Sequence, residues 1–169
     1  MGAQTFTTYA EGTDVDAAFR EAIEQAQYEY GHAGVTGTLA EKDEYVVIAG
    51  GPLSPSDADT LADKLIRGND SRIDDKWGPA GAIAVHGGFR TLTGLPVPSH
   101  AGGYPDQKTA ALAAVESLLG DGETITRSHL DRYRLRRGGI EVDEHTTATV
   151  TTTGSPEVTG WLFFGWANS

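Results

Sequence analysis

The densest concentration of chemically capable residues lies between Tyr28 and Lys42, in the stretch Y-E-Y-G-H-A-G-V-T-G-T-L-A-E-K. Gly31, Gly34 and Gly37 alternate there with His32, Thr36 and Thr38, and Glu41 and Lys42 follow. Glycines let a backbone approach a ligand closely, and threonine hydroxyls with exposed N–H groups can receive an anion. His32 has the right intrinsic acidity for a general base at neutral pH, with Glu41 as the matching acid. Lys42 would stabilise charge, and Tyr28 and Tyr30 would stack on a ring. The plainer reading is a glycine-rich connection after a helix, with the tyrosines packed on its flanks. The spacing fits neither G-x-G-x-x-G after a strand nor G-x-x-x-x-G-K-[ST]. A loop that follows a helix also lacks the N-terminal dipole that makes those motifs good phosphate sites.

A second cluster, H-G-G-F-R at 86–90, closes an expected strand, where open α/β sheets bind ligands. Arg90 would grip a phosphate or carboxylate in bidentate fashion, and His86 would form a two-histidine site if it met His32. The plainer alternative is a glycine turn with a solvated arginine. His145-Thr146-Thr147 has the form of one half of a two-histidine phosphoesterase, but the only other candidate, His86-Gly87-Gly88, lacks the hydroxyl. Neither G-x-S-x-G, H-E-x-x-H nor an EF-hand loop is present. Asp14 and Asp16 are accounted for by helix capping, and Asp74 and Asp75 by a surface turn. Neither a cofactor nor a metal site is expected.

These segments must be positioned by the elements around them. At 169 residues the chain fits a single domain over 1–169. A helix is expected from an N-cap at Thr13, with Val15, Ala18, Phe19, Ala22, Ile23, Ala26 and Tyr30 on one apolar face and Gly31 as its stop. A second is expected behind Ser54 and Pro55, with Ala58, Leu61, Ala62, Leu65 and Ile66 inward and Gly68 at its end. A third runs from Pro105 to about Leu119, with Leu112, Val115 and Leu119 inward. Strands are expected at Thr5–Tyr9, Glu44–Ala49 and Ala80–His86. His145–Thr153 and Val158–Trp166 read as an antiparallel hairpin across Gly154-Ser155-Pro156. The segment 125–136 fits a strand or a short helix, and 87–103 reads as a long loop. The class is therefore α+β: three helices, largely on one face of a mixed sheet of five or six strands, ending in that hairpin.

Composition sets the setting. The formal net charge is −11, which argues against nonspecific nucleic-acid binding and permits a basic protein partner. Arg127, Arg132, Arg134, Arg136 and Arg137 run against that trend. With no cysteine, no secretory pattern at the N-terminus and apolar runs too short for a bilayer, a cytoplasmic location is expected, with no membrane partner. Met1-Gly2 starts like a myristoylation site but has Phe6 where Ser or Thr is required. The aromatic strand G-W-L-F-F-G-W-A at 160–167 reads as core. Any exposed remainder would be an association surface, with its glycines allowing close approach to a neighbouring backbone in a homo-oligomer.

Together, Y-G-H-A-G-V-T-G-T-L-A-E-K, D-K-W-G-P-A-G and W-L-F-F-G-W-A resemble small accessory proteins encoded by bacteriophages, including those of actinobacteria. The resemblance implies a phage product working in the cytoplasm of a bacterial host, on a host or defence component, and it carries over no catalytic residue. The leading expectation is a noncatalytic protein that binds a host macromolecule, a host protein above all, or a small anionic, nucleotide-like ligand. The alternatives are a small enzyme acting on a nucleotide or phosphoester through His32 and Glu41, and an oligomeric structural component of the virion.

Overall fold

The computed structural model describes residues 2–48 and 50–169. The class is α+β, with three α-helices and nine strands among the described residues. The chain divides into two compact units, 1–88 with 157–169, and 89–156.

The first unit is built on a four-stranded mixed sheet of order β1-β9-β3-β2, made of β1 (Ala3–Glu11), β2 (Tyr45–Val47), β3 (Ala80–His86) and β9 (Val158–Asn168). β2 runs parallel to β3, and the other pairs are antiparallel. The expected strand at 44–49 is realised as 45–47. Its last residue, Ala49, lies outside the described residues, as does Met1 of the Met1-Gly2 start.

Helix α1 (Val15–Tyr30) packs Ala18, Phe19, Ala22 and Ala26 against one face of this sheet, with Phe6, Ala82 and Phe163. Helix α2 (Pro55–Arg67) packs Ala58 and Ala62 on the other face, with Ile83, Leu162 and Phe164. The two helices therefore lie on opposite faces, not largely on one. The reason is visible in β9, where Leu162, Phe163 and Phe164 are all buried. A strand covered on both faces reads as a continuous apolar run and not as an alternation. Full burial of Phe163 and Phe164 stabilises this unit by about 1.5–3 kcal/mol each.

Local chemistry sets the helix ends. The N-cap of α1 is Asp14, one residue beyond Thr13, because the Asp14 carboxylate accepts from Ala17 N at 3.1 Å. Gly31, at φ 87°, ends that helix. Helix α2 starts as its sequence dictates, with Ser54 Oγ accepting from Asp57 N and Pro55 in the first turn.

The second unit has a three-stranded antiparallel sheet, order β4-β8-β5, from β4 (Arg90–Pro96), β5 (Thr124–Asp131) and β8 (Thr147–Thr153). A separate antiparallel hairpin joins β6 (Arg134–Arg136) to β7 (Gly139–Glu141). The segment at 125–136 thus holds parts of two strands, β5 and β6, broken at 132–133 where Arg132 has φ 60°. β4 falls inside the expected loop at 87–103; its register shifts between Leu92 and Leu95, and Gly94 and Pro96 are tolerated because the strand is at a sheet edge.

The expected pairing of 145–153 with 158–166 does not form. Both segments are strands, but β8 lies between β4 and β5, and β9 between β1 and β3, so neither has an edge left for the other. Helix α3 (Gln107–Val115) is shorter than its apolar pattern suggests and tightens into a 3-10 turn at Glu116–Leu118. Its buried side is Ala110, Ala111 and Val115, while Leu112 is exposed. The small alanines turn the close-packing stripe away from Leu112.

Candidate functional site

The glycine–threonine loop is held by its own side chains. Gly31, Gly34 and Gly37 all sit at positive φ, so the turns of the chain alone account for their spacing. Glu41 Oε1 accepts from Thr36 N at 3.0 Å and from Thr36 Oγ1 at 2.7 Å. The Thr36 and Thr38 hydroxyls meet at 2.9 Å, and Thr38 Oγ1 caps the 3-10 turn Leu39–Glu41 by accepting from Ala40 N. The loop is tied to the end of β9, where Asn168 Nδ2 donates to Gly34 O and Gly37 N donates to Asn168 O, both at 2.8 Å.

Lys42 is buried, at 3% exposure, and its ammonium donates to the carbonyls of Asp75, Lys76 and Gly78 at 3.2, 3.2 and 2.8 Å. Burial holds its pKa below the ordinary lysine value, with the Asp75 charge acting in the opposite direction. Lys42 therefore joins the first motif to the turn at 75–78. His32 and Tyr28 are exposed, Tyr28 at 88%.

His86 does not join His32. It pairs with Val158 at the start of β9, whereas the loop beyond His32 is bonded to Asn168 at that strand's end. Ten strand residues separate those points, about 33 Å at ~3.3 Å per residue. Arg90 belongs to the second unit, where it forks onto Glu123: Nε to Oε1 at 2.8 Å and Nη2 to Oε2 at 2.9 Å. Nη2 also donates to Leu118 O at 2.9 Å. In His145-Thr146-Thr147, the Thr146 hydroxyl is buried and donates to Arg132 O, and His145 is exposed.

What the structure does bring together is a cleft of about 640 Å³ between β1 and α1. Its floor is the outer edge of β1, and its wall is the α1 row Glu21, Gln25 and Glu29 with Ala22 and Ala26 beneath. Tyr30, Gly37 and Thr38 close one end, so three of the residues singled out in the sequence do line it. Gly37 fits there because a Cβ would come within 2.9 Å of the Gln4 side chain.

β1 is the terminal strand of its sheet and pairs with β9 over nine residues without a register shift. Long flat edges are normally blunted by lysine, proline or a bulge. β1 has none of these, and its only charge is Glu11 at its end. The cleft lining holds Glu11, Glu21 and Glu29 and no lysine or arginine.

On the α1 face of β1, Phe6 is buried. On the other face the Tyr9 ring lies over Gly160, where a Cβ would come within 2.4 Å of the ring, so this glycine admits an aromatic ring and not a neighbouring backbone. A second depression, of about 620 Å³, lies between α1 and β2, and there the Tyr45 hydroxyl donates to Asp16. That bond pushes the Tyr45 pKa up to about 12.

Sequence reasoning missed β1 and the Glu21–Gln25–Glu29 row as a site. The available signal was a polar i, i+4, i+8 row beside the apolar stripe, together with a strand lacking any edge-protecting charge. Comparison of the chain with protein-family models, with curated proteins and with solved structures finds no match.

Proposed function

We propose that the protein is a binding module that captures an extended, arginine- or lysine-bearing segment of a partner protein by strand addition to β1. The observation that carries this reading is the unprotected nine-residue edge of β1 beside an acid-lined cleft. Strand addition draws affinity from main-chain hydrogen bonds and specificity from alternate side chains. Here one set of alternate side chains would face Glu21, Gln25 and Glu29, which favours cations. In the setting implied by the resemblance to phage accessory proteins, a basic segment of a host protein would fit the same groove.

The anionic-ligand reading has less support. Lys42 is committed to carbonyls, Arg90 to Glu123, and the Thr36 and Thr38 hydroxyls to the loop itself. The enzyme reading has less still, because Glu41 is engaged by Thr36 and His86 lies at the far end of the sheet from the loop.

The test is titration with a short synthetic peptide alternating arginine and valine, against the same peptide with glutamate for arginine. The arginine peptide is expected to bind, more weakly as salt rises, and to lose about tenfold or more in affinity against Glu21→Lys/Glu29→Lys. Equal affinity for the two peptides would overturn the reading.

A further inference from the structure

We infer that the segment β1 captures is supplied by a second copy of the chain: the arginine hairpin β6–β7 of one copy adds its β6 edge to β1 of the next. The inference rests on the groove reading above and names its partner.

Charge is segregated along the chain. The first unit carries 6 lysines and arginines against 16 aspartates and glutamates, while the second carries 7 against 8. Within the second, Arg127, Arg132, Arg134, Arg136 and Arg137 are all exposed, and none forms an ion pair among the described residues. The same chain thus presents an acidic cleft without a lysine or arginine and a hairpin that stays net basic, with Glu141 opposite Arg134 as its one acid.

The hairpin also has one free edge of the right kind. The far side of β7 is taken by Tyr104, whose N–H donates to Ile140 O at 2.9 Å and whose carbonyl accepts from Ile140 N at 2.8 Å. Among the described residues β6 pairs with no strand but β7. Glycine makes that anchorage possible, since a Cβ on Gly139 would come within 2.2 Å of Tyr104 O. β6 is therefore the side left for a partner, and it carries Leu135 at 82% exposure between Arg134 and Arg136.

Alternation along a strand gives the two kinds of side chain different destinations. A strand laid along β1 with Arg134 and Arg136 toward α1 meets Glu21, Gln25 and Glu29. Leu135 then falls on the opposite face, where Tyr9 stands 43% exposed. Within one chain its cross-strand neighbour Ile140 leaves Leu135 82% exposed, and this pairing would cover it. Because each copy carries one cleft and one hairpin, the contact is heterologous and repeats as a ring or a chain.

The experiment is native mass spectrometry and sedimentation of the full chain over a concentration series, for wild type, Glu21→Lys/Glu29→Lys and Arg134→Glu/Arg136→Glu. All four positions are exposed, so the variants should fold, and circular dichroism checks this. Wild type is expected to self-associate in a concentration- and salt-dependent way. Each double variant alone should associate at least about 100-fold more weakly, through like-charge contact. An equimolar mixture should associate again, because each variant's cleft then matches the other's hairpin. A wild type that stays monomeric throughout overturns the inference, as does association unaffected by either reversal or a mixture that stays apart. Capture of the arginine–valine peptide by such a monomer would leave the groove reading standing while this one falls.

Discussion

Replacing Arg90 with alanine asks whether this arginine is part of the second unit's frame or a hand held out to a ligand. The Glu123 side chain has no exposed surface, and the Arg90 side chain is 20% exposed, with Nη2 2.7 Å from Oε1. Without the guanidinium, the carboxylate still accepts from the Thr152 hydroxyl at 3.0 Å and, at long range, from Gly120 N at 3.5 Å. Removing one partner of a buried pair costs about 3–5 kcal/mol, since the other charge stays behind unpaired. The lower end is expected, because water enters where the partly exposed arginine leaves. With a slope of about 2 kcal/mol per M, the urea midpoint of the second unit should fall by roughly 1.5 M. Arg90→Met with Glu123→Leu should recover most of the loss, because an apolar pair of similar volume is close to neutral. Binding of the arginine–valine peptide should not change. A single variant within about 1 kcal/mol of wild type, the range of an exposed pair, would refute the buried-pair reasoning.

Two further predictions concern the frame of the first unit. Lys42→Met keeps the stem but strips three carbonyls of their donor, and should lower stability by about 1–2 kcal/mol in urea unfolding: a fully buried orphan costs about 1–3, but these carbonyls belong to exposed or half-buried residues that water reaches, and the buried charge is relieved. For Tyr45, the folded pKa of about 12 lies above the ordinary value of 10.0, so the folded state holds the proton more tightly. The stability contributed by its bond to Asp16 is therefore full below pH 10 and is lost as pH rises toward about 12. Tyr45→Phe should remove that alkaline slope in a pH series of unfolding midpoints.

Features set by neighbours in sequence were legible. Ser54-Pro55 and Gly31 punctuate their helices as local capping dictates, and the buried aromatic strand reads correctly as core. The N-cap of α1 moved by one residue because Thr13 and Asp14 are both capping types, and only geometry selects the carboxylate. Features set by distant partners were not legible. Lys42 looks like a ligand-binding cation until the chain brings Asp75, Lys76 and Gly78 around it. Gly160 makes sense only beneath Tyr9, which is 151 positions away in the chain. β1 is an edge because β9 alone pairs with it, and no local pattern reveals which side of a strand stays open. The candidate loop was found for its glycines, yet its contribution is to close one end of a cleft whose floor and wall lie elsewhere.

Amide hydrogen exchange of the full chain, with and without the arginine–valine peptide, tests the central claim most directly. Strand addition predicts slowed exchange concentrated in residues 3–11, whose outward N–H groups would gain carbonyl partners, with Thr7→Pro abolishing the effect by removing an edge donor. Protection elsewhere with residues 3–11 unchanged, or no protection at saturating peptide, would contradict it.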